Sequence, residues 1–184
     1  VARERVAALF PPGGRVIFTA SATEALNLAL RGSEPARAGK PIAVSAIEHS
    51  AVLDTALDLP GDTTILPVDD DGFVDREVPF PLGVGVVSVM QINNEIGTIQ
   101  PAAVLHARAK AAGALFVCDA VQAAGKVPIA EADFIAISAH KFHGPKGIGA
   151  LWVRDGVELR PLVTGGGQEG GLRSGTLSPA LCAG

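Results

Sequence analysis

Along the chain, short apolar runs alternate with longer stretches in which apolar residues recur at helical spacing, the pattern of an α/β fold. Seven runs read as strands: residues 16–18, 42–45, 64–66, 84–90, 114–117, 134–137 and 148–153. Helical spacing is expected in four places. The first holds Val6, Ala7, Leu9 and Phe10; the second follows Thr23; the third spans about 51–57; the fourth, 101–112, is opened by a proline and closed by Gly113. Residues 60–83 are polar and rich in proline and glycine around a single short strand. The Asp69 to Asp71 trio with Gly72 reads as a solvated turn, because the later ligands of a calcium loop are not in place.

The densest chemistry lies between the last two apolar runs, where Ser138, His140, Lys141, His143 and Lys146 share one loop. Gly144, Pro145, Gly147 and Gly149 rule out a long helix there. A lysine just past a buried strand end can be partly desolvated, which frees its lone pair for carbonyl chemistry. Lys141 is therefore the candidate covalent residue, with Ser138 and His140 as donors suited to an anion. His140 and His143 form no zinc signature, since no further ligand lies at a diagnostic spacing.

Other strand ends carry the remaining candidates. Thr19, Ser21 and Thr23 precede a helix, whose free amides and dipole make either an ordinary cap or an anion site. His49 follows the 42–45 run, where an imidazole suits stacking on a planar ligand, proton shuttling or helix capping. Gln91, Asn93 and Asn94 end the 84–90 run as orienting amides. Asp119 ends another core run with no basic neighbour in sequence, so it either caps the next helix or pairs with a partner that the fold or a ligand supplies. Gly165, Gly167 and Gly170 satisfy G-x-G-x-x-G, but no helix opens after them and no acidic residue follows at the dinucleotide-binding distance. They describe a closely packed or flexible loop that carries Arg173 and Thr176.

Composition narrows the partners. The 184 residues suit one domain or part of a larger one, and 48% hydrophobic residues suffice for a sizeable core. A formal net charge of −4 with no basic run argues against nucleic acid or an anionic membrane as the main partner. The absence of a spanning segment or signal-peptide pattern, and two cysteines that make no disulfide framework, lead to the expectation of a soluble, cytoplasmic protein. Cys118 and Cys182 read as small filler. The chain starts without methionine in a helical pattern and stops where another helix could open, so it is expected to be part of a longer protein.

A lysine, a strand-end aspartate, a histidine and hydroxyls at a helix start are the groups that a planar, phosphorylated aldehyde cofactor needs. The blocks FTASATEALNLAL, IEHSAVLD, VSVMQINNEIGTIQP, VCDAVQAAGKVPI, SAHKFHGPKGIGALWVR and GGGQEGGLRSGT cover nearly the whole chain. In them the sequence resembles the cysteine desulfurases of the NifS and IscS type, within the class V aminotransferases. The resemblance implies a pyridoxal 5'-phosphate (PLP) enzyme of fold type I, with residues 1–184 forming a large domain incomplete at both ends: a mostly parallel seven-stranded sheet flanked by helices. It implies that Lys141 carries the cofactor and later moves the substrate Cα proton, that Asp119 pairs with the ring nitrogen, and that Gln122 bonds the ring oxygen. His49 would stack on the ring and act as acid and base. Thr23, the Ala22 backbone, Ser138 and His140 would hold the phosphate, Asn94 would orient cofactor and substrate, and Thr176 would reach the phosphate of a neighbouring subunit in a homodimer. No metal is implied.

The implied reaction takes sulfur from L-cysteine, leaving L-alanine and an enzyme persulfide that passes sulfur to an acceptor scaffold in iron-sulfur cluster or thiocofactor assembly. A selenocysteine lyase, another class V aminotransferase, or a non-catalytic PLP-binding fragment would share the same cofactor residues. There are departures from the family pattern. The family's sulfur-accepting cysteine and carboxylate-binding arginine correspond to positions beyond Gly184, and neither Cys118 nor Cys182 matches the nucleophile. The 74–84 stretch is short by about a helix, Ser21 stands where glycine is common, and Gly170 stands where arginine is common. The 184 residues alone are expected not to complete the reaction.

Overall fold

The computed structural model describes all 184 residues. In chain order the elements are α1 (Ala2–Ala7), β1 (Gly14–Thr19), α2 (Ala22–Gly32), α3 (Glu34–Arg37), β2 (Ile42–Ser45), α4 (Ser50–Asp58), β3 (Thr63–Leu66), β4 (Val86–Ser88), α5 (Ala102–Ala111), β5 (Leu115–Asp119), β6 (Phe134–Ser138), β7 (Gly149–Arg154) and α6 (Pro179–Ala183). The strands form one sheet in the order β1-β7-β6-β5-β4-β2-β3. The pairs β2·β3, β2·β4, β4·β5 and β5·β6 are parallel, whereas β7 runs antiparallel to both β6 and β1. The mostly parallel seven-stranded sheet expected from the sequence is what the chain forms.

Parallel strands covered on both faces read as continuous apolar runs, and β2, β4 and β6 are buried throughout. Residues alternate across the sheet. Val87, Phe116, Cys118, Ile135, Ile137 and Trp152 join Phe10 and the α5 residues Leu105 and Ala109 on one face. On the other face, Ile17, Val44, Val117, Phe134 and Leu151 pack against Leu26 and Leu30 of α2 and Val52 of α4. The sheet is thus a two-sided core, and its strand ends open at one edge.

Several elements differ from the sequence expectation in extent. β4 is only three residues long, although residues 84–90 are all buried. The amides of Val89 and Gln91 continue the ladder to Val117 and Asp119 of β5, while β2 turns away into the His49 loop and the Met90 amide on that side donates to the Glu48 carboxylate instead of a β2 carbonyl. α5 begins one residue after Pro101, and its buried side consists of Ala102, Leu105 and Ala109. No helix forms between Val74 and Val84. The Asp69 carboxylate accepts from the amides of Asp71 and Phe73, which closes the acidic trio into a turn.

One glycine couples the sheet to the site. A Cβ on Gly149 would lie 2.6 Å from the Ser21 carbonyl carbon, 2.8 Å from the Ile137 oxygen and 2.9 Å from the Ala22 nitrogen, all of them backbone atoms. β7 passes directly beneath the turn that starts α2, and only hydrogen fits between them. Gly149→Ala is expected to destabilise the protein by about 1–3 kcal/mol, read as a lower urea midpoint with an unchanged slope.

Candidate active site

Five strand ends converge on one cavity of about 250 Å³. This is the edge where open α/β sheets place ligands, outside the carboxyl ends of parallel strands. The turn after β1 contributes Ser21, Ala22 and Thr23, β2 leads to His49, and β4 leads to Met90 and Asn94. β5 ends in Asp119 and is followed by Val121 and Gln122, and β6 ends in Ser138 with His140 and Lys141 just beyond. Of the cofactor-site candidates, Ala22, Thr23, His49, Asn94, Asp119, Gln122, Ser138, His140 and Lys141 line this cavity, and Thr176 does not; it lies on the exposed loop following Arg173.

The start of α2 is capped by Ser21 rather than Thr23, in a variant of the capping box in which Glu24 reaches back to the residue before the cap. Ser21 Oγ accepts from the Glu24 amide at 3.2 Å, and the Glu24 carboxylate reaches back to accept from the Ala20 amide at 2.7 Å. Thr19 Oγ1 donates to the Ser21 carbonyl at 2.8 Å, which fixes the turn from the other side. The first-turn amides of Ala22 and Thr23 have no intrahelical acceptor and border the cavity. Thr23 keeps its hydroxyl free of the capping role and stands exposed in the wall. Burial opposes ionisation of Glu24, but Arg173 and the Ala20 amide outweigh it and hold the carboxyl below its ordinary range.

Across the cavity, Ser138 Oγ lies 3.1 Å from His140 Nδ1, so the two expected anion donors also orient each other. Lys141 closes a 3-10 turn, Ala139–Lys141, after β6. Here the sequence expectation needs correcting: Lys141 is exposed in the open wall of the cavity and is not desolvated by the strand end. The 3-10 turn lifts it off the sheet edge, clear of the apolar layers.

Asp119 is 5% exposed. Its Oδ1 accepts from the Val121 amide at 2.9 Å, the turn-capping bond, yet no basic side chain bonds to it. Burial pushes its carboxyl upward, against the pull of the Val121 amide and the more distant His49 and Lys141. A buried carboxylate so placed at a cavity wall suits a cationic or proton-bearing ring atom of a ligand.

His49 is the N-cap of α4, with Nδ1 accepting from the Ala51 amide at 3.0 Å. A neutral imidazole held this way carries its proton on Nε2. Of the amides ending the 84–90 run, only Asn94 faces the cavity. Gln91 and Asn93 are buried scaffolding: Gln91 bonds Pro128 and Ala130, and Asn93 bonds Ile47, Glu95 and Ile96. By residue type and position at the strand end the three amides are alike. Gln122 Oε1 accepts from Lys126 Nζ at 3.0 Å, which leaves its NH2 group as the free donor at the cavity.

Sequence reasoning passed over Glu48, whose burial depends on a distant strand. It is 6% exposed, accepts from Ser45 Oγ at 2.7 Å and from the Met90 amide, and has a second carboxylate oxygen with no partner. Burial is the main cause that raises its carboxyl to about 8, with nearby Asp119 adding to it. The glycine-rich loop is anchored at two points. Glu169 bonds Arg3 twice at 2.7 Å and accepts from the Phe18 amide at 2.8 Å, while Arg173 Nε bonds Glu24 at 2.7 Å. Gly167, Glu169, Gly170 and Gly171 all adopt left-handed backbone conformations, which explains the glycine content. Neither cysteine lines the cavity; Cys118 is buried, and burial pushes its thiol pKa up.

Comparison with known proteins bears on the family and the fold. The chain is 46% identical over 175 residues to a cysteine desulfurase of Cereibacter sphaeroides, an alignment that covers 88% of this chain and 45% of that protein. Among solved structures it superposes on a NifS-like protein with a TM-score of 0.89 at 40% identity, covering 99% of this chain and 54% of the other. It also superposes on SspA in complex with cysteine, with a TM-score of 0.90 at 36% identity, covering 99% and 57%. The chain spans about half the length of the curated relatives it matches. Residues 1–177 match the aminotransferase class-V family, and the chain belongs to that family.

Proposed function

We propose that these residues are the PLP-binding large domain of a cysteine desulfurase. The observation that carries the reading is Asp119: a buried carboxylate with no cationic side chain bonded to it, in the wall of a cavity that also holds an accessible lysine and a helix N-terminus. The donor set fits PLP group by group. Asp119 would hold the ring nitrogen protonated, and the NH2 group of Gln122 would donate to the ring oxygen. The Ala22 and Thr23 amides, Ser138 and His140 would hold the phosphate. When bound, the cofactor supplies an electron sink for a carbanion at the substrate Cα.

The chain's own residues do the rest. Lys141, exposed in the wall, supplies the amine that retains the cofactor and takes the Cα proton. His49, held by its capping bond with Nε2–H outward, presents its ring to the cavity and is placed to move a proton. Asn94 orients the substrate. L-cysteine is the proposed substrate, with L-alanine and a persulfide as products. No thiol of this chain lines the cavity, so the persulfide-forming cysteine must come from outside these 184 residues. Thr176 is exposed and away from the cavity, and in a homodimer it would serve the site of a second copy.

The test is an absorption spectrum of the protein with added PLP, followed by borohydride and peptide mass mapping. The wild type is expected to show a visible band and a reduced adduct on Lys141; Lys141→Ala is expected to lack the adduct at any residue. A folded protein with neither band nor adduct would sink the cofactor assignment.

A further inference from the structure

We propose that Arg173 is a positioning residue that tunes the helix start for a phosphate, acting through Glu24. The inference rests on the phosphate-cradle reading above. Glu24 is one residue beyond Thr23 and its carboxylate bonds the Ala20 amide, so it braces the turn that presents the Ala22 and Thr23 amides. That carboxylate is also a negative charge beside a site meant for an anion. Arg173 meets it with two bonds, Nε to Oε1 at 2.7 Å and Nη2 to Oε2 at 3.2 Å, in the fork geometry that a lysine cannot reproduce. Both side chains are about one-fifth exposed, so solvent screens the pair only in part.

The arginine reaches this position because its loop is anchored at a second point. Glu169 is buried against β1, held by Arg3 and the Phe18 amide, and the left-handed residues between them return the chain so that Arg173 arrives over α2. The turn at Ala20 to Thr23 is therefore clamped between β7 below and Arg173 above, with the one adjacent carboxylate neutralised. Arg173 does not line the cavity, so its effect on a ligand passes through Glu24.

The experiment compares binding of pyridoxal 5'-phosphate with that of pyridoxal, which lacks the phosphate, by fluorescence titration of the cofactor-free protein. Arg173→Met is expected to weaken the phosphorylated ligand about tenfold, the effect of exposing one partly screened like charge, with pyridoxal affinity unchanged. Adding Glu24→Gln to Arg173→Met removes that charge and is expected to restore the preference for the phosphorylated ligand. Glu24→Gln alone, which leaves the arginine in place, is expected to increase it. An unchanged preference in Arg173→Met, a double variant that stays folded without recovery, or a reduced preference in Glu24→Gln overturns the inference. If the wild type binds both ligands equally, the phosphate cradle itself is wrong, and that result is distinct from a wild type that discriminates while the variants do not.

Discussion

Asp119→Asn is expected to make the cofactor-free protein more stable while reducing turnover of the proposed reaction, measured in the full-length protein that supplies the persulfide-forming cysteine, by about 10²–10³-fold, the usual cost of removing one preorganised electrostatic group. Asn keeps the oxygen that accepts from the Val121 amide and removes the charge. The stability gain follows from linkage. With the folded carboxyl raised by burial, the folded state holds a proton that the unfolded chain gives up above a pH of about 3.9. Stability is therefore lost as pH rises from that value through the raised folded pKa, and at neutral pH the wild type bears that penalty where the variant does not. Melting curves at neutral pH should therefore shift upward in the variant. A variant that melts lower and turns over normally would remove Asp119 from its role.

Glu48→Gln has the second large expected effect, and its signature is a pH profile. The wild-type carboxyl ionises at about 8 in the folded state and at about 4.3 when unfolded. Below the lower value both states are protonated and the penalty is absent. Between the two values the wild type loses stability relative to the variant by about 1.4 kcal/mol per pH unit. Above about 8 the difference is constant. Urea unfolding at pH 5, 6.5, 8 and 9 should show a gap that opens by several kcal/mol and then stops growing. A gap independent of pH would mean that Glu48 is ionised in the folded protein. Because Glu48 joins β2 to the Met90 amide beside the His49 loop, the alkaline loss should be accompanied by exchange of the Met90 amide.

The sequence was most legible where chemistry is local. Lys141, Ser138 and His140 lie within four positions, and His49, Asn94 and Asp119 each end or follow an apolar run, so a count of strand ends located most of the cavity. Pairings remote along the chain were illegible. Glu24 and Arg173 are 149 positions apart, and nothing near either predicts the other. Ser21 and Thr23 are equally good caps by residue type; the choice fell to the register in which the chain enters α2. Glu48 looked like a loop residue beside a histidine, because its burial comes from the Met90 segment of a different strand. The exposure of Lys141 was missed for a similar reason: a 3-10 turn cannot be read from three residues with no periodicity of their own.

The antiparallel strand β7 also dictates when the site can exist. It separates β1 from β6, with Gly14 paired to Arg154 and Thr19 to Gly149. β1 therefore has no partner until β7, the last of the seven strands in chain order, has been made, on the order of ten seconds later at typical rates of translation. Until then β2 to β6 can assemble from neighbours close in sequence, while the segment leading to Ser21 waits with its ladder groups unpaired. Slow, chaperone-sensitive completion of the fold should therefore be confined to one edge of the sheet, with the phosphate-facing turn maturing last.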